Sequence, residues 1–184
     1  PKSSARVEDR LLFRHWNHWV ERRRSHVFVV DVFSGELADC TPGDRDSPPI
    51  SLESPRDHEF SPDGRTLVFV ANPDEVVGRS TNNSVWLVEL DGGVPAGEPR
   101  NVSINAACDN HPRFSPDGTR LAWLGMDKPV HEADKTRLRV LDLQTGVVTT
   151  LLDDLDRAAD VDRAVDLGVT GLQFRLHVEA AGLE

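Results

Sequence analysis

The chain has 184 residues, of which 38% are hydrophobic, and this is enough apolar material for one ordinary domain with a buried core. Its formal net charge of −10 argues against a nucleic-acid or anionic-membrane surface, so we expect neither as a partner. The two cysteines, Cys40 and Cys108, have no metal-ligand spacing, and the sequence predicts no metal site and no cofactor.

The first predicted elements are apolar and aromatic. Residues 11–13 (Leu-Leu-Phe) predict a strand that continues into an aromatic loop at residues 14–19. The β-prone run at residues 26–32 predicts a further strand, which ends at the turn residue Gly35. Residues 39–57 are rich in Pro, Asp and Ser and predict a long loop between two structural units.

A five-residue motif then occurs twice and determines the predicted architecture. Phe-Ser-Pro-Asp-Gly occupies residues 60–64 and, 54 residues later, residues 114–118. Proline at the second turn position and glycine after the aspartate suit a type I turn closed by a glycine with positive φ, a common hairpin connection. An alternating apolar segment follows each copy, at residues 65–69 and 119–123. We therefore interpret the copies as one structural unit used repeatedly.

A second repeated element follows each hairpin. Residues 85–90 and 138–143 predict strands that end at glycine turns, as residues 26–32 do, and these turns contain Gly92 and Gly146. One unit therefore contains four short antiparallel strands, which is the blade of a β-propeller. The predicted fold class is all-β: an open, partial β-propeller of about three four-stranded antiparallel blades, with an irregular C-terminal tail.

The repeat also predicts the division of the chain. We assign the propeller to residues 6–152, as one partial blade and two whole blades, in residues 6–43, 54–105 and 109–152 respectively. Residues 153–184 predict a linker, with a short helix or an irregular segment at its start, and the beginning of a further blade. Because closed propellers need at least about four blades, we expect a fragment with open sheet edges, and such edges favour self-association into homo-oligomers.

Taken in order, these segments resemble the N-terminal β-propeller of the prolyl oligopeptidase (S9) family, in its dipeptidyl aminopeptidase/acylaminoacyl-peptidase branch. The resemblance covers residues 6–152 and rests mainly on the aromatic segment, the Ser-His-Val-Phe-Val-Val-Asp strand at residues 25–31, both Phe-Ser-Pro-Asp-Gly copies and Glu-Ala-Asp-Lys at residues 132–135. The turn motif alone also marks TolB-type propellers. A non-enzymatic propeller that binds a protein partner is therefore the alternative.

The resemblance implies an enzyme of two parts. A C-terminal α/β-hydrolase domain would carry a Ser–Asp–His triad, and the propeller would gate the access of peptide substrates to it. The marker of such a domain, Gly-x-Ser-x-Gly, is absent from this chain, and residues 78–82 (Gly-Arg-Ser-Thr-Asn) only approach it. We therefore expect no catalytic residue here, and expect peptide substrates to be engaged together with the hydrolase domain.

Two acidic residues are candidates for substrate contact. Glu132 and Asp134 lie in the predicted loop between the second and third strands of the last blade. Paired carboxylates in such a loop can hold the free ammonium of a peptide substrate by charge-assisted hydrogen bonds. The alternative is a solvated acidic loop, which is the ordinary setting of charged loop residues.

The sequence also bears on location. It contains no signal peptide and no apolar run of membrane-spanning length, which favours a cytoplasmic location. The first residue is Pro1 and not methionine, so a signal peptide can precede it. A periplasmic or secreted location is therefore the alternative.

Overall fold

The computed structural model describes residues 5, 7–9, 11, 13–15, 17–20, 23–49, 57–151, 153–154, 160–166 and 175–177. Its strands are β1 (Arg14–His15), β2 (His18–Trp19), β3 (Phe28–Val30), β4 (Leu37–Asp39), β5 (His58–Phe60), β6 (Thr66–Ala71), β7 (Ser84–Asp91), β8 (Val94–Pro95), β9 (Arg100–Asn101), β10 (Asp109–Phe114), β11 (Arg120–Gly125), β12 (Arg137–Asp142), β13 (Val148–Leu151), β14 (Asp160–Asp166) and β15 (Arg175–His177). A 3₁₀ turn spans Val77–Arg79, and the described residues contain no α-helix.

The strands form antiparallel sheets that follow the order of the chain. Blade one is the pair β3–β4, blade two is β5–β6–β7 with β8 and β9 both on β7, and blade three is β10–β11–β12–β13. Two smaller pairs, β1–β2 and β14–β15, lie outside these blades. The sheets do not close into a ring within the described residues. The predicted fold class, an all-β, open arrangement of antiparallel blades, is therefore confirmed.

Blade two is buried on both faces because its neighbours cover it from either side. The core between blades two and three contains Val68, Val70, Val85, Leu87, Val102, Leu121, Trp123 and Leu141. The core between blades one and two contains Val27, Cys40, Leu67, Phe69, Ala71, Val88 and Leu90. Successive residues of a strand point to opposite faces, so β6 and β7 each contribute to both cores. Each fully buried aliphatic side chain contributes about 1.5–3 kcal/mol to this stacking.

The two Phe-Ser-Pro-Asp-Gly segments form the same turn, as predicted. The N–H of Gly64 donates to the Ser61 carbonyl (2.9 Å), that of Gly118 donates to the Ser115 carbonyl (2.8 Å), and both glycines have a φ of +71°. The hydroxyl of Ser115 and the N–H and hydroxyl of Thr119 donate to Asp117, and these bonds lower the pKa of Asp117 to about 2. The hydrogen bonds that stabilise the turn thus all form between residues within five positions of one another.

The glycine turns at the far end of the third strands are not all alike. The N–H groups of Gly35 and Gly146 donate to the carbonyls of Asp31 and Asp142, each over 2.8 Å. In blade two the two residues 92–93 form the turn instead, with φ of +57° and +85°, and lead directly into β8. The sequence treats these three glycine turns as equivalent. In the structure, the turns at Gly35 and Gly146 share one geometry, and the turn at residues 92–93 has another.

The aromatic segment differs from its prediction. Residues 11 and 13 of the predicted strand lie outside any strand, and residues 12 and 16 are outside the described part. Instead, β1 and β2 form a short hairpin across the predicted loop. The N–H of Val20 donates to the Phe13 carbonyl (3.0 Å), and the rings of Phe13 and Trp19 lie 6.2 Å apart. Backbone pairing and this ring contact close the hairpin.

The tail also differs from its prediction of a helix or an irregular segment. β14 is a seven-residue strand that pairs antiparallel with β15. Three of its residues, Asp160, Val165 and Asp166, pair with β15, which begins nine residues after β14 ends. The strand therefore depends on this pairing, and the poor alternation of the segment did not reveal it. β15 lies in residues 153–184, the segment in which the sequence predicts a linker and the beginning of a further blade.

Candidate functional site

The candidate residues lie in loops at one end of the blades. Here residues 72–83 connect β6 to β7, residues 126–136 connect β11 to β12, and residues 102–108 connect blade two to blade three. The first two loops are joined, because the N–H of Val130 donates to Thr81 Oγ1 (2.8 Å). The opposite end of the blades carries the tight turns described above. The connecting loops therefore offer the longer exposed surface.

Asp134 anchors the 126–136 loop. Its side chain is only 4% exposed, and Oδ2 accepts hydrogen bonds from the N–H groups of Asp127 (2.8 Å) and Lys128 (3.0 Å). These bonds, above all the one from Asp127, hold the pKa of Asp134 down to about 2. The other oxygen, Oδ1, lies 3.7 Å from the Lys128 ammonium. The carboxylate of Asp134 is thus engaged by its own loop.

Glu132 lies in the same loop but in a different setting. Its side chain is exposed, and it has no hydrogen bond or ion pair within the described part of the chain. The structure therefore brings the two predicted residues into one loop, with Asp134 closing the loop and Glu132 facing solvent. Recognition of a substrate ammonium by this pair stays a prediction.

Arg137 of β12 holds the two ends of the loop together. Its Nε lies 3.1 Å from both Asp127 Oδ2 and Asp153 Oδ1, and its Nη1 donates to the Lys135 carbonyl (2.8 Å). The sequence pattern does not single out Arg137 as a residue of the site. Its only sequence signal is the alternation of arginine with apolar residues along β12, which is also the ordinary pattern of a strand with one solvated face.

A buried carboxylate, Asp109, lies behind the loop. It is completely buried, and it accepts hydrogen bonds from Trp123 Nε1 (3.0 Å) and Asn105 Nδ2 (2.5 Å). Burial raises the pKa of Asp109 to about 6, although these bonds and the positive charge of Arg139 act in the opposite direction. Gly125 makes this arrangement sterically acceptable, because a Cβ there would collide with Asp109 Oδ1 and lie 2.6 Å from Arg139 Nε.

The segment nearest to a nucleophile elbow has no catalytic geometry. Gly78 and Arg79 belong to the 3₁₀ turn, and Ser80 follows it in the 72–83 loop. The hydroxyl of Ser80 donates to Asp74 Oδ2 (2.5 Å), with no strand-to-helix turn around it.

No group of three or more His, Cys, Asp or Glu with metal-binding geometry occurs in the described ranges. None of the described residues forms a helix that is long and apolar enough to cross a membrane.

Comparison with known proteins finds relatives among the dipeptidyl-peptidase 5 proteins. No family model matches the chain. It is 29% identical to dipeptidyl-peptidase 5 of Porphyromonas gingivalis over 167 residues, which are 87% of this chain and 24% of that protein. It is 28% identical to a probable dipeptidyl-peptidase 5 of Emericella nidulans over 179 residues, which are 86% of this chain and 24% of that protein. The chain therefore spans about a quarter of the length of the relatives it matches.

Two of the solved structures found in the comparison are TolB proteins. TolB from Acinetobacter baumannii has a TM-score of 0.47 at 12% identity, over 72% of this chain and 28% of that one. A protein described as TolB from Agrobacterium tumefaciens has a TM-score of 0.46 at 23% identity, over 68% of this chain and 40% of that one.

The strands and their packing define the class of protein as an open, all-β propeller of antiparallel blades. Within that class, the chain is similar along most of its length to dipeptidyl-peptidase 5 proteins. The resemblance to the dipeptidyl aminopeptidase branch of the S9 family, inferred above from the motifs, is thereby confirmed.

Proposed function

We propose that these residues form the substrate-gating β-propeller portion of an S9-family serine peptidase of the dipeptidyl aminopeptidase/acylaminoacyl-peptidase type. The observation that carries the proposal is the similarity to dipeptidyl-peptidase 5 over 87% of the chain. The stacked blades support it, since blades packed face to face through continuous cores give a rigid wall from which loops can project. The gating role itself is the part that needs testing.

In this proposal, Glu132 contacts the free ammonium of the peptide substrate and Asp134 holds the loop that presents it. The exposure of Glu132 and the burial of Asp134 support this division of roles. An ion pair that stays in water contributes only about 0–1 kcal/mol. Glu132 therefore needs a second surface that excludes water around the ammonium, and the α/β-hydrolase domain of an S9 peptidase would supply it.

The chemistry of peptide-bond cleavage belongs to that hydrolase domain. A serine would attack the scissile carbonyl, a histidine would take up and return the proton, and an aspartate would orient the histidine. This chain contributes no group to these steps, because it contains no Gly-x-Ser-x-Gly elbow. Its contribution is to admit and orient the substrate.

The genomic locus that encodes the chain tests the proposal. Beyond residue 184 it should encode further Ser-Pro-Asp-Gly turns, then alternating strands and helices with Gly-x-Ser-x-Gly, and then Asp and His in that order. The full-length protein should release dipeptides from chromogenic substrates, and replacing the elbow serine with alanine should abolish this release. The locus also shows whether a signal peptide precedes residue 1, which decides between the cytoplasmic location that we propose and an exported one.

A locus without hydrolase motifs in any frame would refute the proposal. A full-length protein whose activity survives loss of the elbow serine would do the same. In the first case, the non-enzymatic TolB-type propeller that binds a protein partner would become the better explanation of the fold.

A further inference from the structure

The register of blades two and three places an arginine where an aromatic residue would be expected. In blade two, Phe69 of β6 pairs with Trp86 of β7, and both pack into the core between blades one and two. In blade three, Trp123 occupies the position 54 residues after Phe69, and it pairs with Arg139. Arg139 thus occupies, in blade three, the position that Trp86 occupies in blade two, next to the aromatic residue of the neighbouring strand. Burying a guanidinium there is costly unless charged partners surround it.

Those partners lie on both sides of the guanidinium. The Arg139 side chain is only 16% exposed, and its Nη2 pairs with Asp127 Oδ1 and donates to the Met126 carbonyl (3.4 Å). Its Nε is buried, has no hydrogen-bond partner in the described part of the chain, and faces the space at Gly125 that Asp109 Oδ1 also borders. Arg139 therefore lies between a buried carboxylate behind it and a loop carboxylate in front of it.

The contacts continue from Arg139 into the loop. Asp127, held by Arg139 through its side chain, donates its N–H to Asp134, which closes the loop. The tip of the loop includes Val130, whose φ of +58° is a backbone conformation that β-branched residues rarely adopt. Such a conformation persists only where the surroundings enforce it. The enforcing contacts are the bond from Val130 to Thr81 and the closure of the loop at its ends.

We propose that Arg139, backed by Asp109, is a positioning residue that holds the 126–136 loop in the conformation that presents Glu132. Arg139 touches no substrate and acts through Asp127. Its consequence for catalysis rests on the proposed function, whereas its effect on the loop is a property of this chain alone. The two can therefore be tested separately.

Amide hydrogen exchange on this chain tests the effect on the loop. In Arg139→Met and in Asp127→Asn, the amides of Asp127, Lys128 and Val130 should exchange about tenfold faster or more, since each variant removes a charge-assisted contact that holds the loop. The amides of β11 and β12 should keep their protection. Arg120→Met is the matched control, because Arg120 lies at the opposite end of β11 and should leave the loop amides unchanged.

Asp127→Asn keeps the test decisive if Arg139→Met fails to fold, because Asp127 is half-exposed and outside the cores. Unchanged exchange of the loop amides in Asp127→Asn overturns the proposal. So does unchanged exchange in a folded Arg139→Met protein.

Kinetics of the full-length protein test the consequence for catalysis. Arg139→Met and Glu132→Gln should each raise KM for dipeptidyl substrates with a free amine, with kcat and the kinetics of N-acylated substrates unchanged. Faster loop exchange with unchanged KM in both variants would leave the positioning role intact and refute the role of Glu132 in the proposed function. A raised KM in Glu132→Gln alone, with unchanged loop exchange in Arg139→Met, would refute the positioning role and spare the proposed function.

Discussion

The buried carboxylate Asp109 makes the stability of the chain depend on pH in an unusual direction. Its pKa is raised from 3.8 to about 6 in the folded chain. The folded state therefore holds a proton that the unfolded state has lost between these two values, and stability falls as the pH rises through this window. The difference of about two pKa units corresponds to about 3 kcal/mol, at 1.36 kcal/mol per unit. This penalty is small below pH 3.8 and nearly complete above pH 6.

Asp109→Asn isolates this effect, because asparagine has a similar shape, keeps an acceptor for Trp123 Nε1 and does not titrate. The free energy of unfolding of both proteins should be measured by urea titration at pH 4 and pH 7. From the lower to the higher pH, the stability of the wild type relative to the variant should fall by about 2.4 kcal/mol, because a small part of the penalty is already present at pH 4.

The matched control is Asp117→Asn. The pKa of Asp117 is lowered to about 2, so its stabilising contribution is lost only as the pH falls below the ordinary aspartate value of 3.8. Its loss should therefore cost nearly the same at pH 4 and at pH 7. An Asp109→Asn protein with the same pH dependence as the wild type would show that Asp109 does not retain its proton in the folded chain, and would refute this prediction.

Three further predictions follow from the packing and the loops. Gly125→Ala should destabilise the chain by about 1–3 kcal/mol in thermal unfolding, because its Cβ would meet Asp109 and Arg139, whereas Gly97→Ala, with open space around it, should have little effect. The purified chain should hydrolyse no aminoacyl or dipeptidyl chromogenic substrate; turnover that a serine-directed inhibitor abolishes would contradict this. The outer face of blade one exposes Phe28, Val30 and Leu37, so the chain should self-associate with rising concentration in sizing chromatography; a monomer at all concentrations would contradict this.

Local features of the fold were predictable from the sequence because they depend on residues close together in the chain. Pro-Asp-Gly favours one turn geometry through the φ preferences of proline and glycine, and the structure has that geometry at Gly64 and Gly118. Alternation of apolar residues likewise predicted β6 and β11, since the period of a strand is a local property. The repeat of both features predicted stacked antiparallel blades.

The surroundings of the charged residues were decided only by the tertiary structure. The sequence placed Glu132 and Asp134 in one loop, but whether a carboxylate is solvated or engaged depends on how the loop folds back on its own N–H groups. The pairing of β14 with β15 depends in the same way on a partner strand, which the composition of the segment does not reveal.

Arg139 shows the physical reason most clearly. In the sequence it is one of two arginines that alternate with apolar residues, the ordinary pattern of a strand with a solvated face. In the fold it is nearly buried between Asp109, at the start of β10, and Asp127, in the 126–136 loop. Turn geometry is set by hydrogen bonds among neighbouring residues, so it can be predicted from the sequence. The burial of a charge is set by segments that lie further away in the chain, here the start of β10 and the 126–136 loop, and only the folded chain brings them together.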